Sequence, residues 1–319
     1  MSMTIQSIRN NKKKTLREHI RSFFTGQQLT LQLMVLPAMA ALIIFSYIPM
    51  SGIVISVKDY TLGRGFFDGE FVGLKYFIKA FNDKTFWMAA RNTVVMSALG
   101  MLFNFPMPIF LALMFNESSL TRVKKFAQTS SYLPHFFSAV VIAAFWQLLL
   151  GSDGVVNQVM MALGLINEPI GFWTNPDYYY GIRIVMGWWS GAGWDAIIYF
   201  SAITAVSQEI YEAAIVDGAG RLRRIFNIVL PCILPTIAIK WIMSISGLFR
   251  GSFDMSYLLG NGFNHDISYV LEYFITEKGL SQMKYSYSTA IGQIQAVASL
   301  ILLMIANGIS KRITEVSIF

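Results

Sequence analysis

A run of 29 residues from Leu29 to Val57 contains no charged side chain, and this run is the strongest constraint on how the chain can fold. A helix rises about 1.5 Å per residue, so about 20 apolar residues cross a hydrocarbon core of about 30 Å. Charged residues make up 13% of the chain, whereas soluble domains contain about 25%, which excludes a water-soluble enzyme. We predict an all-α polytopic membrane protein with about six transmembrane helices, at approximately 29–57, 88–115, 131–150, 181–206, 231–253 and 285–309.

The distribution of lysine and arginine predicts the orientation of these helices. The N-terminal segment, the second and fourth loops and the tail contain fourteen of these residues, and the opposite loops contain eight. Because basic residues are retained in the cytoplasm, both termini are predicted to be cytoplasmic. The stretch Asn10–Arg21 is predicted to meet anionic membrane lipids, so no nucleic acid is expected as a partner. The predicted parts are a basic cytoplasmic segment (1–28), a transmembrane domain (29–309) and a cytoplasmic tail (310–319).

The cytoplasmic loop between the fourth and fifth spans is more elaborate than a simple connection requires. Alanines and glutamates favour a helix from Tyr211 to Val216. Gly218 and Gly220 can each adopt the left-handed conformation that ends a helix. A second amphipathic stretch follows, and Pro231 and Pro235 are predicted to reset the backbone where the next span begins. From its physical properties alone, this loop is either a docking element for a partner protein or a hairpin lying on the lipid surface.

The same loop resembles the EAA loop of permease subunits in bacterial ABC importers. The family pattern is Glu-Ala-Ala, three residues, Gly, nine residues and Ile-x-Leu-Pro, and every fixed position is present at the correct spacing. The matching residues are Glu212-Ala213-Ala214, Gly218 and Ile228-Val229-Leu230-Pro231. The fuller form from Tyr211 to Ala219 is similar to the carbohydrate branch of the family. The resemblance extends from about Leu33 to the C-terminus and points to importers of complex and acidic oligosaccharides, including alginate-type polyuronates.

This resemblance implies a type I importer permease fold of the maltose type in the bacterial cytoplasmic (inner) membrane. The implied partners are a second, homologous permease in a heterodimer, two ATPase subunits, an extracytoplasmic solute-binding protein and the oligosaccharide substrate. The chain contains no Gly-Lys dipeptide and therefore no P-loop. ATP and Mg²⁺ are thus expected on the ATPase subunits, with no cofactor, metal site or catalytic residue in this chain.

The resemblance also assigns residues of the loop to ATPase coupling. The loop from 207 to 231 would seat its helix in a cleft of an ATPase subunit and pass that subunit's movement to the spans. The expected coupling residues are Tyr211, Glu212, Ala213, Ala214, Asp217, Gly218, Ala219 and Arg221. Retention on the cytoplasmic side explains Arg221 and its two arginine neighbours equally well.

Span four has an unusual composition for a lipid-facing helix. Nine residues from Gly187 to Asp195 include three glycines, three tryptophans and an acid. Glycines permit close helix contact or a local break, and tryptophan faces stack on sugar rings. An interfacial tryptophan belt with packing glycines explains the same residues equally well. By position, maltose-type relatives imply cargo contacts at Gly187, Ser190 and Gly191, with Trp188 and Trp194 nearby.

A second candidate cargo segment lies at the end of span five, at Phe249, Arg250 and Ser252. An arginine near hydrocarbon should face an aqueous path or a counter-charge. Arg250 and Asp254 are four residues apart and can pair on one helix face. The alternative is that the planar guanidinium of Arg250 meets a carboxylate of a uronic-acid oligosaccharide.

Other functions remain open on the sequence alone. A permease for another polar solute, such as a peptide or a phosphoester, is compatible with the same loop. A channel or secondary transporter would need no docking loop. An intramembrane serine protease would use Ser190 with His135 or His265 as the base, but neither histidine is predicted at the depth of the serine.

Overall fold

The computed structural model describes residues 26–249 and 253–314, and these residues form a helical chain with one small sheet. The predicted all-α class is confirmed. The α-helices are α1 (Gly26–Leu42), α2 (Ile48–Met50), α3 (Lys75–Phe81), α4 (Lys84–Leu99), α5 (Pro106–Glu117), α6 (Thr121–Tyr132), α7 (Ala139–Leu149), α8 (Val155–Ala162), α9 (Tyr179–Gly187), α10 (Gly193–Thr204), α11 (Gln208–Val216), α12 (Arg221–Arg224), α13 (Leu230–Ser246), α14 (Phe253–Leu259), α15 (His265–Ser268), α16 (Leu271–Thr276) and α17 (Tyr285–Thr314).

Wide π-turns and short 3-10 segments connect several of these helices. The π-turns are Ile43–Tyr47, Gly100–Asn104, Trp188–Ala192, Ile225–Val229 and Glu277–Ser281, and the 3-10 segments are Ser51–Val57, Leu133–Phe136 and Pro176–Tyr178. Strands β1 (Lys58–Asp59) and β2 (Glu70–Phe71) pair antiparallel, with Lys58 opposite Phe71.

Four helical segments of the described chain are long and apolar enough to cross a membrane. A fifth candidate is the bent pair Thr121–Phe136 and Ala139–Leu149. The remaining predicted span, 181–206, coincides with an unbroken helical segment at 179–204, in which α9, a π-turn and α10 follow one another. Its glycines and Asp195 make it less apolar than the others. The four continuous spans are Leu29–Val57, Lys84–Glu117, Arg221–Ser246 and Tyr285–Arg312.

The predicted span at 131–150 is not one continuous helix. The chain bends by 107° between Phe136 and Ala139. Phe137 is extended, and the Oγ of Ser138 accepts a hydrogen bond from the N–H of Val141 at 3.3 Å, which starts α7 as a new helix. Pro134, at the start of the preceding 3-10 segment, favours this early termination.

The predicted restart at Pro231 and Pro235 is also wrong. The fifth span already begins at Arg221 and runs without a break to Ser246, so the amphipathic stretch after the loop is the first part of that span. The π-turn Ile225–Val229 comes just before Pro231, and its wider backbone accommodates the missing amide donor of proline.

The described residues divide into two compact units, 26–54 with 65–67 and the remaining ones. All features of the candidate site belong to the second unit. Its packing next to the 207–220 loop depends on small residues, because Ala112 of α5 and Ala196 of α10 are fully buried and let these helices approach closely. Tyr199 and Val229 belong to the same buried cluster. The loop therefore emerges from a closely packed part of the protein.

Candidate functional site

The helix of the 207–220 loop, α11, is fastened to the membrane domain through its inner face. Ser207 caps its N-terminus, because its Oγ accepts a hydrogen bond from the N–H of Glu209 at 3.3 Å. Ala214 is buried, and Tyr211 packs against the cluster around Ala112. The Tyr211 hydroxyl accepts a hydrogen bond from Nδ2 of Asn116 at 3.3 Å. Burial raises the pKa of Tyr211, so its hydroxyl stays protonated at neutral pH.

The C-terminus of α11 depends on one glycine. Gly218 has a φ of +74°, which is easily reached only without a β-carbon. The N–H of Gly218 donates to the carbonyl of Ile215 at 3.0 Å, and the N–H of Ala219 donates to that of Ala214 at 2.9 Å. These two bonds form a Schellman motif. The left-handed prediction is confirmed for Gly218 and wrong for Gly220, whose φ of −65° and ψ of 166° are extended.

The outer face of α11 is open to solvent. Exposed acidic and small side chains alternate on it with exposed apolar ones, of which Val216 is 87% exposed. Such a mixed patch on a short helix is typical of a surface that another protein covers. The exposed residues of this face and of the turn after it include Glu212, Ala213, Ile215, Val216, Asp217, Gly218 and Arg221.

Two π-turns, one in the second span and one in the 179–204 helix, lie against each other. The indole Nε1 of Trp188 donates to the carbonyl of Phe103 at 2.9 Å. A β-carbon on Gly187 would lie 2.5 Å from Nδ2 of Asn104, so any larger residue here would displace the Asn104 side chain. π-Turns leave the regular hydrogen-bonding pattern and frequently occur at functional sites.

The first of two cavities next to these π-turns has a volume of about 390 Å³. We call it the arginine cavity, because Arg183 of α9 lines it together with Gly187 and Ser190. The predicted cargo residues Gly187 and Ser190 therefore lie at one internal space, on the side of the 179–204 helix that faces the second span.

The second cavity, of about 320 Å³, is lined by Asp195 and Lys240, and we call it the ion-pair cavity. Polar and small residues of the second span line both spaces, which makes the two cavities neighbours. The shared residues are Ser97, Gly100 and Asn104.

The ion pair between Asp195 and Lys240 was missed by the sequence reasoning. Nζ of Lys240 lies 2.9 Å from Oδ1 of Asp195, although the sequence suggests only that the lysine extends towards the cytoplasm. Both side chains are partly exposed at the cavity. Charged residues within spans usually pair or line an aqueous path, and these two residues pair at the wall of a cavity. The isolated acid in span four and the isolated base in span five were the available sequence signal.

Several predicted cargo residues lie outside the two cavities. The ring of Trp194 stacks on His135, with centroids 4.5 Å apart and planes at 3°. Trp188 is held by its bond to the second span, and a β-carbon on Gly191 would meet no atom within 4 Å. The carbonyl of Phe249 accepts a hydrogen bond from Nε2 of Gln295 at 2.6 Å.

Two other predicted cargo residues, Arg250 and Ser252, lie outside the described residues. The predicted pairing of Arg250 with Asp254 therefore stays a prediction. Ser190 shows no protease-like arrangement, because its Oγ donates to the carbonyl of Met186 at 2.8 Å and the ring of His135 is stacked on Trp194.

Comparisons with known proteins identify relatives over nearly the whole chain. Residues 104–315 match the family described as "Binding-protein-dependent transport system inner membrane component". The chain is 40% identical over 294 residues to the polygalacturonan/rhamnogalacturonan transport system permease protein YteP of Bacillus subtilis (strain 168), which covers 92% of this chain and 91% of that protein.

Two solved structures are similar to the fold. One is a bacterial ABC transporter involved in the import of the acidic polysaccharide alginate, with a TM-score of 0.84 and 34% identity over 94% of this chain and 100% of that chain. The other is a bacterial alginate ABC transporter in complex with an alginate pentasaccharide-bound periplasmic protein. It has a TM-score of 0.86 and 34% identity over 96% of this chain and 100% of that chain.

Proposed function

Because this chain belongs to the binding-protein-dependent transport system inner membrane component family, as a sugar-importing ABC permease subunit without its own ATPase site, we propose that its cargo is an acidic oligosaccharide. The observation that carries this proposal is the likeness to the alginate transporters, at 34% identity and a TM-score of 0.86 over 96% of the chain. The 179–204 helix and the second span each contribute to the lining of both cavities.

The proposed path runs through the arginine and ion-pair cavities. Ser97 and Asn104 line both spaces, so polar groups for sugar hydroxyls continue from one cavity to the next. Gly187 and Ser190 bound the path on the opposite side, while Gly191, Trp188 and Trp194 support this wall from the same helix. At the end of the fifth span, Phe249, Arg250 and Ser252 are proposed to extend the cargo path.

Transport is proposed to be driven from the 207–231 loop by two ATPase subunits that bind ATP and Mg²⁺. The support is the open outer face of α11, with Glu212 and Ala213 exposed while Tyr211 fastens the inner face to the spans. Ala214, Asp217, Gly218, Ala219 and Arg221 complete the proposed coupling surface. A binding protein is a partner of this class of importer, and we propose a second, homologous permease as the membrane partner, with both termini of this chain in the cytoplasm.

The cargo is tested in liposomes containing the importer complex purified with its partner subunits and supplied with its binding protein. Oligogalacturonate and oligoalginate are compared with maltotriose, a dipeptide and glycerol phosphate. We expect ATP-dependent uptake of one or both acidic oligosaccharides and little uptake of the others. Uptake of maltotriose, the dipeptide or glycerol phosphate with none of the acidic sugars would refute the proposed cargo.

The coupling surface is tested in the same liposomes with a matched pair of glutamates. Replacing Glu212 removes charge-assisted hydrogen bonds to the ATPase, so E212A is expected to lower both sugar uptake and cargo-stimulated ATP hydrolysis by about tenfold. E209A removes an exposed carboxylate from the preceding turn of the same helix and is expected to remain close to wild type. Equal behaviour of the two variants would contradict the assignment of Glu212.

A further inference from the structure

Arg183 is a cationic side chain without an anionic partner at the wall of the arginine cavity. It lies on α9, and its Nε is buried without a hydrogen-bond partner. Among the residues that the structure describes, Arg183 forms no ion pair. An unpaired guanidinium is costly within a membrane protein, because its hydration is lost and no counter-charge replaces it.

One further polar atom at this cavity lacks a partner, and a buried tyrosine lies next to the guanidinium. The hydroxyl of Tyr179, one helical turn before Arg183, is buried beside the guanidinium and the side chain of Ser256 and interacts with both. Oδ1 of Asn104, which lines the same cavity, is buried and unpaired in the described part of the chain. Buried polar groups are paired in the great majority of cases. Two unpaired atoms at one cavity wall, Nε of Arg183 and Oδ1 of Asn104, therefore indicate that a polar ligand completes them.

Two other basic side chains nearby, unlike the Nε of Arg183, have hydrogen-bond partners within the chain. Lys240, at the neighbouring cavity, has its counter-ion within the chain at 2.9 Å. Arg91, on the second span, is exposed and donates to the backbone carbonyl of Asp266 at 2.9 Å. Among the described charged side chains that line these two cavities, only that of Arg183 has a buried nitrogen without a hydrogen-bond partner.

We propose that Arg183 binds a carboxylate of the oligosaccharide cargo, with Asn104 bonding to one of its hydroxyls. A guanidinium binds a carboxylate through two parallel hydrogen bonds, which suits a flat group on a sugar ring. The proposal rests on the proposed acidic cargo, and it adds that acid selectivity is built into the permease as well as into the binding protein.

The test uses the complete importer in liposomes with one binding protein throughout, so that a change between variants arises in the permease. The cargo pair is an acidic oligosaccharide and its carboxyl-reduced, neutral counterpart of the same length. Uptake is measured for wild type, R183Q, R183K and the control R91Q, which replaces the exposed arginine outside the cavity.

R183Q is expected to raise the KM for the acidic cargo by about tenfold or more and to leave that for the neutral cargo nearly unchanged, because only the acidic cargo loses a charge-assisted hydrogen bond. R183K is expected to give a smaller rise, because lysine keeps the charge and loses the two-pronged geometry. R91Q should keep the wild-type preference.

Equal losses for both cargoes in R183Q would overturn the proposal and show a structural role or a carboxylate partner on another subunit. If R183Q does not assemble, R183K decides: a raised KM for the acidic cargo alone supports the proposal, and an unchanged one contradicts it. Failure of the proposed acidic cargo is a separate result, because it appears in wild type as uptake of neutral sugars without acidic ones.

Discussion

The ion pair between Asp195 and Lys240 gives a prediction with a defined magnitude. At 2.9 Å, two unit charges attract by about 6 kcal/mol at an effective dielectric constant of about 20 and by about 1.4 kcal/mol in water. The side chains of Lys240 and Asp195 are 24% and 45% exposed, so the pair lies between these limits. We expect D195N or K240M to lower the free energy of unfolding by about 2 kcal/mol each, less than the 3–5 kcal/mol of a fully buried broken pair.

The double variant separates the energy of the ion pair from the cost of leaving one charge unpaired. Replacing both residues removes the unpaired charge that each single variant leaves behind, so D195N/K240M is expected to recover more than half of either single loss. Unfolding of this subunit is followed in mixed micelles by titration with sodium dodecyl sulfate. S201A, which removes an exposed hydroxyl from the same helix as Asp195, is the control and should change little. Losses that simply add in the double variant would refute the ion-pair reasoning.

Two further pairs of glycine variants test the site. G187A places a methyl group 2.5 Å from Nδ2 of Asn104 and forces that side chain to move, so we expect a loss of about 1–3 kcal/mol in stability and slower uptake. In G191A the added methyl group meets open space, so neither uptake nor stability should change. Equal behaviour of G187A and G191A in uptake and thermal stability would contradict the close approach of the two π-turns. G218A must hold a φ of +74° at a cost of about 1 kcal/mol and should weaken coupling of ATP hydrolysis to uptake, whereas G220A, with a φ of −65°, should not. A fully coupled G218A importer would show that the turn is not needed.

The membrane helices and the loop were predictable because each depends on local sequence. A hydrocarbon core requires long apolar helices wherever the chain crosses it, which located Leu29–Val57 and the segments around the other continuous spans. The end of α11 was equally local, since Gly218 is the residue that a left-handed turn selects. Gly220 shows the limit of this reasoning, because a glycine permits a positive φ without requiring one.

Helix breaks were harder to predict than helix positions. The sequence contained a break at residues 137–138, with Pro134 before it and the capping residue Ser138 in it, but the apolar residues on both sides suggested one helix. At Pro231 the opposite error occurred. A proline usually interrupts a helix, yet the π-turn Ile225–Val229 lets the fifth span continue through it.

The charged residues inside the membrane domain could not be paired from the sequence. Asp195 and Lys240 are 45 residues apart, and their contact depends on the depth and rotation of two separate helices. Arg183 drew no attention for the same reason, because only the packed structure shows that its helix turns it towards a cavity and away from any described carboxylate. Tryptophan rings can stack on sugar rings, but the ring of Trp194 is stacked on His135 instead.

The 207–220 loop joins the two helical segments that carry the ion pair, and their unequal lengths have a mechanical consequence. Along the helix axis, Asp195 lies about 14 Å from the end of α10 at Thr204, and Lys240 lies about 29 Å from Arg221, where the next span begins. A tilt applied at the loop therefore has a lever arm about twice as long at the lysine as at the aspartate. If the loop rocks as proposed, the two helices slide against each other at the cavity, and this shear acts on the contact between Asp195 Oδ1 and Lys240 Nζ.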